Sequence, residues 1–374
     1  MKKKYKIILL IFLITILITV FLNNRLYGNI EEVFQSQEQA IRNKDMEAYL
    51  ETISPRDKEY LAEKESWLRD ILINDIKGYG LKVIDLDRIS FNKVQATVLQ
   101  SYSYLGDDHE LVLPLLVTRS KGSWKDSDLN FKELKTQNFV IKYFNSSKKS
   151  AQFIKLVCEE SKDNIENRYG EVIEERTTVK IYPDLEMLRQ SVKLSFPWKF
   201  AGWYEYPESV KTGEYDHAES YKRVLEHELV HKLTIMQSNN NMPYWFTEGL
   251  AVYFSNFHND PDQIKTKEQY MREYNNNRLD ILTLEAINLE KIENHELISN
   301  YYDSAGLIVQ FMIESYGIER VKNIVNSLGS YPYQKGTGAE VDLVAKDRFQ
   351  NVIKNDLGMD LIELNEAYKL YINN

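Results

Sequence analysis

His227 and His231 stand four residues apart in the segment YKRVLEHELVHKL, residues 221–233. On an α-helix, positions i and i+4 lie about 40° apart, so both imidazoles can reach one metal ion from the same face. Glu228 follows the first histidine directly, completing the order H-E-x-x-H, and its carboxylate can there approach a metal-bound water. Zinc lowers the pKa of such a water to about 7, and a carboxylate can take its proton as the water attacks a carbonyl. For the bare pattern the alternative is a surface helix with two solvated histidines. A catalytic zinc needs a third protein ligand and an open fourth position, so a further donor must be found. His295-Glu296-Leu297 repeats the first three letters, but Ser299 stands where a second ligand would be needed, and this stretch reads as solvated. His217 and His258 read as polar residues outside any ligand set.

The elements that must position these groups are two helices. Tyr221, Leu225, Leu229 and Leu233 recur every four residues and supply a buried stripe for the first. The chain then passes through Gln237-Ser238-Asn239-Asn240-Asn241 and Pro243 and resumes with Trp245-Phe246-Thr247-Glu248-Gly249-Leu250-Ala251-Val252-Tyr253. Thr247 is expected to cap a second helix whose first turn carries Glu248. A short loop folds this helix back on the first, which can bring Glu248 to the histidine face. Trp198, Trp203, Trp245 and Phe246 are expected to pack the core or the cleft walls.

The run H-E-L-x-H, a short polar loop, then P-x-W-F-x-E-G-L-A-x-Y resembles the gluzincin metallopeptidases, especially the bacterial peptidase MA-like group. The resemblance covers roughly residues 135–374. It implies one zinc per chain held by His227, His231 and Glu248, with Glu228 as general base. It also implies that the upstream strand–helix–strand order and the segment Phe200-Ala201-Gly202-Trp203 build a sheet whose edge strand holds extended substrate. Tyr301-Tyr302-Asp303-Ser304-Ala305-Gly306 is expected to open a helix that ends at Gly317. Many gluzincins place a tyrosine hydroxyl near there for the oxyanion, which implies Tyr302, with Tyr301 as its nearest competitor. Gly358 to Leu364 looks like the family's final helix. Two features depart from the family: the 17 residues from His231 to Glu248 are fewer than in thermolysin, and 206–217 matches no part of it.

The amino terminus bears on location. Eighteen uncharged residues lie between Lys6 and Arg25, and 7–22 (IILLIFLITILITVFL) are almost wholly aliphatic. Such a stretch can just cross a hydrocarbon core of about 30 Å as a helix. Lys2, Lys3, Lys4 and Lys6 precede it and Arg25 follows, which orients the start inside and the body outside. A cleaved signal peptide is the rival, although the exit TVFLNNRLYG offers no small-x-small site and no cysteine for lipid attachment. The 374 residues carry a net charge of −9. An acidic body argues against a nucleic-acid binder, which needs a basic stripe. Cys158 is the only cysteine, excluding an intrachain disulfide and a cysteine-based zinc site.

Between anchor and metal unit, residues 30–75 read as helices. Phe34, Ala40, Ile41 and Leu50 mark the first, Ser54-Pro55 a break, and Trp67, Leu68, Ile71 and Leu72 a second from about 56 to 75. From Gly78 the rhythm alternates through LKVIDL, KVQATVL and LVLPLLV. Lys44–Leu50 and Gly122–Asp128 resemble the cone-shaped domains of the nuclear-transport-factor-like superfamily. The expected fold class is therefore α+β. It comprises a membrane anchor (1–28), a cone-like helix-plus-curved-sheet domain (29–134), and a gluzincin-type domain (135–374) with a small mixed sheet and a mostly helical C-terminal part. The expected function is a membrane-anchored, extracytoplasmic zinc peptidase acting on peptide or protein substrates through a zinc-bound water activated by Glu228. The alternatives are a catalytically silent metal-binding surface protein that binds or regulates, and a hydrolase for a non-peptide bond. Retention of Glu228 favours catalysis, because a structural zinc site would prefer a fourth ligand.

Overall fold

The computed structural model describes residues 12, 14, 26–206, 209–255, 267–274, 277–336 and 338–373. The apolar segment 7–22, on which the anchor expectation rests, lies outside the described residues apart from Phe12 and Ile14, and His258 lies outside them too. Among the described residues no helix is long and apolar enough to cross a membrane. The chain divides into two compact units, Met1–Asn130 and Phe131–Asn374.

In the first unit, helices α1 (26–42), α2 (Met46–Glu51) and α3 (Lys58–Ile73) precede four strands. These are β1 (Lys77–Ser90), β2 (Lys93–Tyr104), β3 (Asp107–Ser120) and β4 (Ser123–Leu129), antiparallel in chain order. The helical run expected up to Ser54 is broken earlier. Lys44 takes φ +55°, and the Asp45 carboxylate then accepts the Ala48 N–H as the N-cap of α2. On β2 alternate residues from Val94 to Tyr104 are buried, the period-two pattern of a half-buried strand. Trp67 of α3 contacts Tyr49 of α2 and Tyr79 of β1, joining helices to sheet. The core also holds a charge. Asp126 is 2% exposed and accepts hydrogen bonds from Gln37 Nε2 and the Tyr60 hydroxyl. Burial raises its pKa, against the nearby Lys64 charge.

The second unit opens with β5 (Lys132–Lys135), which pairs antiparallel with β6 (Phe139–Tyr143). Residues 131–134, assigned from sequence to the first domain, thus join the second unit; the polar tetrad KELK carries no apolar period. Helix α4 (Lys148–Tyr169) ends at Gly170, whose φ of +81° supplies a left-handed cap. Then come β7 (Thr177–Ile181), α5 (Leu185–Val192), β8 (Gly202–Glu205) and β9 (Ser209–Thr212). The sheet order is β5-β6-β7-β9-β8. β9 runs parallel to β7 and antiparallel to β8, which leaves β8 at the edge. The remaining described helices are α6 (Ala218–Gln237), α7 (Tyr244–Phe254), α8 (Lys267–Glu273), α9 (Ile281–Ala286), α10 (His295–Tyr316), α11 (Ile318–Leu328), α12 (Ala339–Leu357) and α13 (Leu361–Asn373). Ile141, Val179 and Val210 of the sheet share one core with Ile154 and Ile165 of α4 and with Tyr221, Leu225 and Leu229 of α6.

The asparagine run after α6 is a pinned turn, where sequence alone suggested a polar loop. Asn239 and Asn240 adopt φ +51° and +58°, a conformation asparagine tolerates. Asn241 is fully buried, and its amide donates to the Ser238 carbonyl at 2.9 Å and the Leu328 carbonyl at 3.3 Å.

Candidate metal centre

The α6 stripe is buried as its four-residue spacing requires: Tyr221, Leu225 and Leu229 are fully enclosed and Leu233 nearly so. Packing that stripe against the sheet and α4 fixes the rotation of α6 about its axis, and with it the face that carries His227 and His231. Helix α7 starts at Tyr244, one turn before the expected cap at Thr247. Pro243, at φ −65°, is already the N-terminal flank, and Asp342 Oδ1 accepts the Tyr244 N–H at 2.8 Å. Thr247 Oγ1 donates back to the Pro243 carbonyl at 3.1 Å, so Glu248 lies in the second turn.

Glu248 Oε2 lies 3.2 Å from His227 Nε2 and 3.3 Å from His231 Nε2, and the two imidazole nitrogens are 3.1 Å apart. Donors bonded at 2.0–2.1 Å to one tetrahedral zinc sit about 3.3 Å from each other, so the three atoms have the spacing that such an ion demands. Two nitrogens and one carboxylate oxygen are also the donor set of a three-ligand catalytic zinc. His217, at the exposed N-terminal flank of α6, is not in this group. Burial opposes the charge on Glu248, yet His231 and His227 outweigh it and hold the carboxyl down at about 2. The third donor is therefore anionic across the neutral range.

Glu228 belongs to the same helix but a different environment. It is 4% exposed, and burial pushes its pKa up to about 8; the His227 charge opposes that rise, the Glu248 charge adds to it, and a hydrogen bond from the Tyr204 N–H opposes it. Its Oε2 is buried with no hydrogen-bond partner among the described residues. The approach of β8 to this carboxylate was not legible in the sequence. A Cβ built on Gly202 would lie 2.6 Å from Glu228 Oε1 and 2.6 Å from Val224 Cγ1. Only glycine lets the edge strand come this near to α6. A glycine inside an aromatic strand was the available signal.

Tyr302 does not precede a helix start. It lies well inside α10, which begins at His295 behind the Asn294 cap. Asp303 and Ser304 look like capping residues in the sequence, but Ser304 is fully buried and shares a hydrogen bond with the Tyr270 hydroxyl at 2.5 Å. The Tyr302 ring centroid is 6.3 Å from that of His227. Burial raises its hydroxyl pKa well above the usual tyrosine value, and the Glu248 and Glu228 charges raise it further. The adjacent Tyr301 is fully enclosed within the core. Helix α10 comes close to α7 at another glycine, since a Cβ on Gly249 would meet the Ala305 carbonyl oxygen at 2.5 Å.

The surroundings hold further groups that the motif did not announce. One helical turn before Glu248, the Tyr244 hydroxyl donates to Glu290, which also pairs with the buried Lys193. Lys193 Nζ is 5.2 Å from the Phe196 ring centroid and 5.5 Å from that of Trp203. Trp198 and Trp203 form an aromatic cluster with Phe196 and Phe200, while Trp245 and Phe246 are fully buried in the core.

No protein-family model matches this sequence, and no curated protein matches it either. Among solved structures, the chain is similar to an M1 zinc metallopeptidase from Deinococcus radiodurans at 11% identity and a TM-score of 0.36, covering 79% of this chain and 62% of that one. A mutant form of the Deinococcus radiodurans M1 metallopeptidase with a bound Tyr-Ser-Ala substrate gives 11% identity and 0.35, covering 79% of this chain and 61% of that one. This chain therefore spans less than two thirds of the length of those it matches. A likeness this slight carries no argument, and the site rests on its own geometry.

Proposed function

We propose that this chain is a zinc-dependent peptidase, held to the membrane by its N-terminal apolar segment with its body on the extracytoplasmic side. The observation that carries the reading is the convergence of His227 Nε2, His231 Nε2 and Glu248 Oε2 at 3.1–3.3 Å, with Glu228, a second buried acid, beside them. When bound there, zinc supplies Lewis acidity and a water of lowered pKa. His227, His231 and the anionic Glu248 hold the ion. Glu228 has the role of proton carrier: its unpartnered Oε2 takes a proton as the carbonyl is attacked and returns it to the departing amine. A pKa near 8 suits an acid–base group working near neutrality, and the positive charge of a bound cation lowers it. The Tyr302 hydroxyl, kept protonated by its surroundings, donates to the oxygen on which negative charge develops. The position of β8 at the edge of its sheet suits it to receive an extended peptide in the manner of an added strand.

Location follows from sequence: the lysines before the apolar segment and the missing cleavage site support an uncleaved anchor with the body outside. The reading is tested by metal analysis of the purified chain together with a proteome-derived peptide library, incubated with and without chelator. About one zinc per chain and chelator-sensitive cleavage are expected. Zinc binding with no cleavage of any peptide would favour the metal-binding, non-catalytic alternative, and no zinc at all would refute both.

A further inference from the structure

We propose that the paired turns at one end of the first unit's sheet are a docking surface for an anionic lipid membrane. The β1–β2 turn and the β3–β4 turn lie side by side, since the Arg119 N–H donates to the Asn92 carbonyl at 2.9 Å. Between them, residues 88–93 (RISFNK) and 119–123 (RSKGS) carry Arg88, Lys93, Arg119 and Lys121 and no acidic residue, within a chain of net charge −9. All four cations are exposed. Phe91 projects among them at 74% exposure and Ile89 at 49%. The opposite end of the same sheet, the β2–β3 turn, carries Asp107 and Asp108. The two turns themselves carry only positive charge; the nearest acids on β1 are the exposed Asp87, which directly precedes Arg88, and Asp85.

The chemistry fits a membrane surface. Each cation near an anionic leaflet adds to the attraction, and a large apolar side chain among the cations can enter the headgroup boundary. The Arg88 guanidinium lies 5.8 Å from the Phe91 ring centroid, so cation and aromatic ring stand together at the tip of the turn. Tyr27 near the start of α1 donates to the Val83 carbonyl at 2.9 Å, whereas Glu38 near its end accepts the Leu81 N–H. Helix α1 therefore runs against β1, with its first residues toward Ile89 and Phe91. The surface lies wholly within the first unit and does not depend on peptidase activity.

The test places an environment-sensitive label at the turn through Asn92→Cys in the full chain; Cys158 is fully buried and leaves that thiol as the accessible one. Vesicles of phosphatidylglycerol mixed with phosphatidylcholine are compared with vesicles of phosphatidylcholine alone. A blue-shifted emission and about tenfold protection from an aqueous quencher are expected on the anionic vesicles only. Both should be lost at 0.5 M salt, on the order of 3 Å of Debye screening length or slightly more, and in Lys93→Glu combined with Lys121→Glu. Phe91→Ser, which leaves the charges, should weaken the blue shift. Equal emission on the two vesicle types would overturn the proposal. So would protection produced by polyglutamate without lipid, which would assign the surface to an acidic protein instead. If the apolar segment fails to insert, the comparison still reads the turn, because the label reports contact at Asn92 alone.

Discussion

His227, His231 and Glu248 place two imidazole nitrogens and a carboxylate oxygen at mutual distances of 3.1–3.3 Å. A cation among them satisfies all three at once. Replacing any one by alanine removes a ligand, so zinc occupancy, read by metal analysis after equilibration with a competing chelator, should fall for each variant. Tyr302→Phe should keep zinc and fold and lower turnover about 100-fold, since one oxyanion contact is worth about 2.7–4 kcal/mol; an unchanged turnover would remove Tyr302 from the mechanism. Much of this cluster was legible from residue types, because i, i+4 histidines on a helix with an apolar stripe leave little freedom. The setting of Tyr302 was not. Asp303 and Ser304 imitate a helix start, but α10 begins earlier, behind the Asn294 cap, and Ser304 is buried against Tyr270.

At the scale of elements, two glycines set how near the helices and the edge strand come to the metal ligands. The Cβ of Gly202→Ala would meet Glu228 Oε1 and Val224 Cγ1, both at 2.6 Å. The variant should therefore retain zinc, because no ligand moves directly, and lose much of its turnover as Glu228 is displaced; equal loss of zinc and turnover would mean that the helix itself had shifted. Gly249→Ala drives a methyl group into the backbone of α10 at Ala305, and overpacking of this kind costs about 1–3 kcal/mol, measurable as a lower denaturant midpoint. Long elements with strong periods, such as α4, α6 and β2, were readable from sequence. The strands β5 and β9 were not: each spans four residues, Lys132–Lys135 is polar, and Ser209–Thr212 is buried along its whole length, so neither shows an apolar alternation. Without β9 the sequence could not show that β8 is an edge.

For the whole molecule, the division at Asn130 and Phe131 leads us to expect that residues 131–374 alone fold and bind zinc; a folded fragment without zinc affinity would contradict this. Stability should also carry a pH signature from Glu285 of α9. Both of its carboxylate oxygens are buried, and the Trp245 indole beside them favours the charged form less than burial opposes it. Burial pushes its pKa up to about 7, against the charge of Lys346 and with that of Asp342. Its folded pKa lies above its unfolded one, so the unfolded state ionises first as pH rises. Stability is then lost from the ordinary carboxylate range up to about pH 7, where the folded protein ionises too. Glu285→Gln should accordingly raise the melting temperature at pH 8 and change it little at pH 4. An equal effect at both pH values would show that the carboxyl is not held in its neutral form.

In the proposed peptidase, Glu228 carries the proton and is not one of the metal's ligands. The most direct measurement compares wild type and Glu228→Gln, each loaded to the same zinc content, in the hydrolysis of a peptide substrate taken from the library. Glutamine keeps the size and the hydrogen bond from Tyr204 but cannot accept the proton, so zinc should stay at about one per chain while turnover falls by about 100-fold or more. Undiminished turnover in Glu228→Gln at full zinc occupancy would contradict the account.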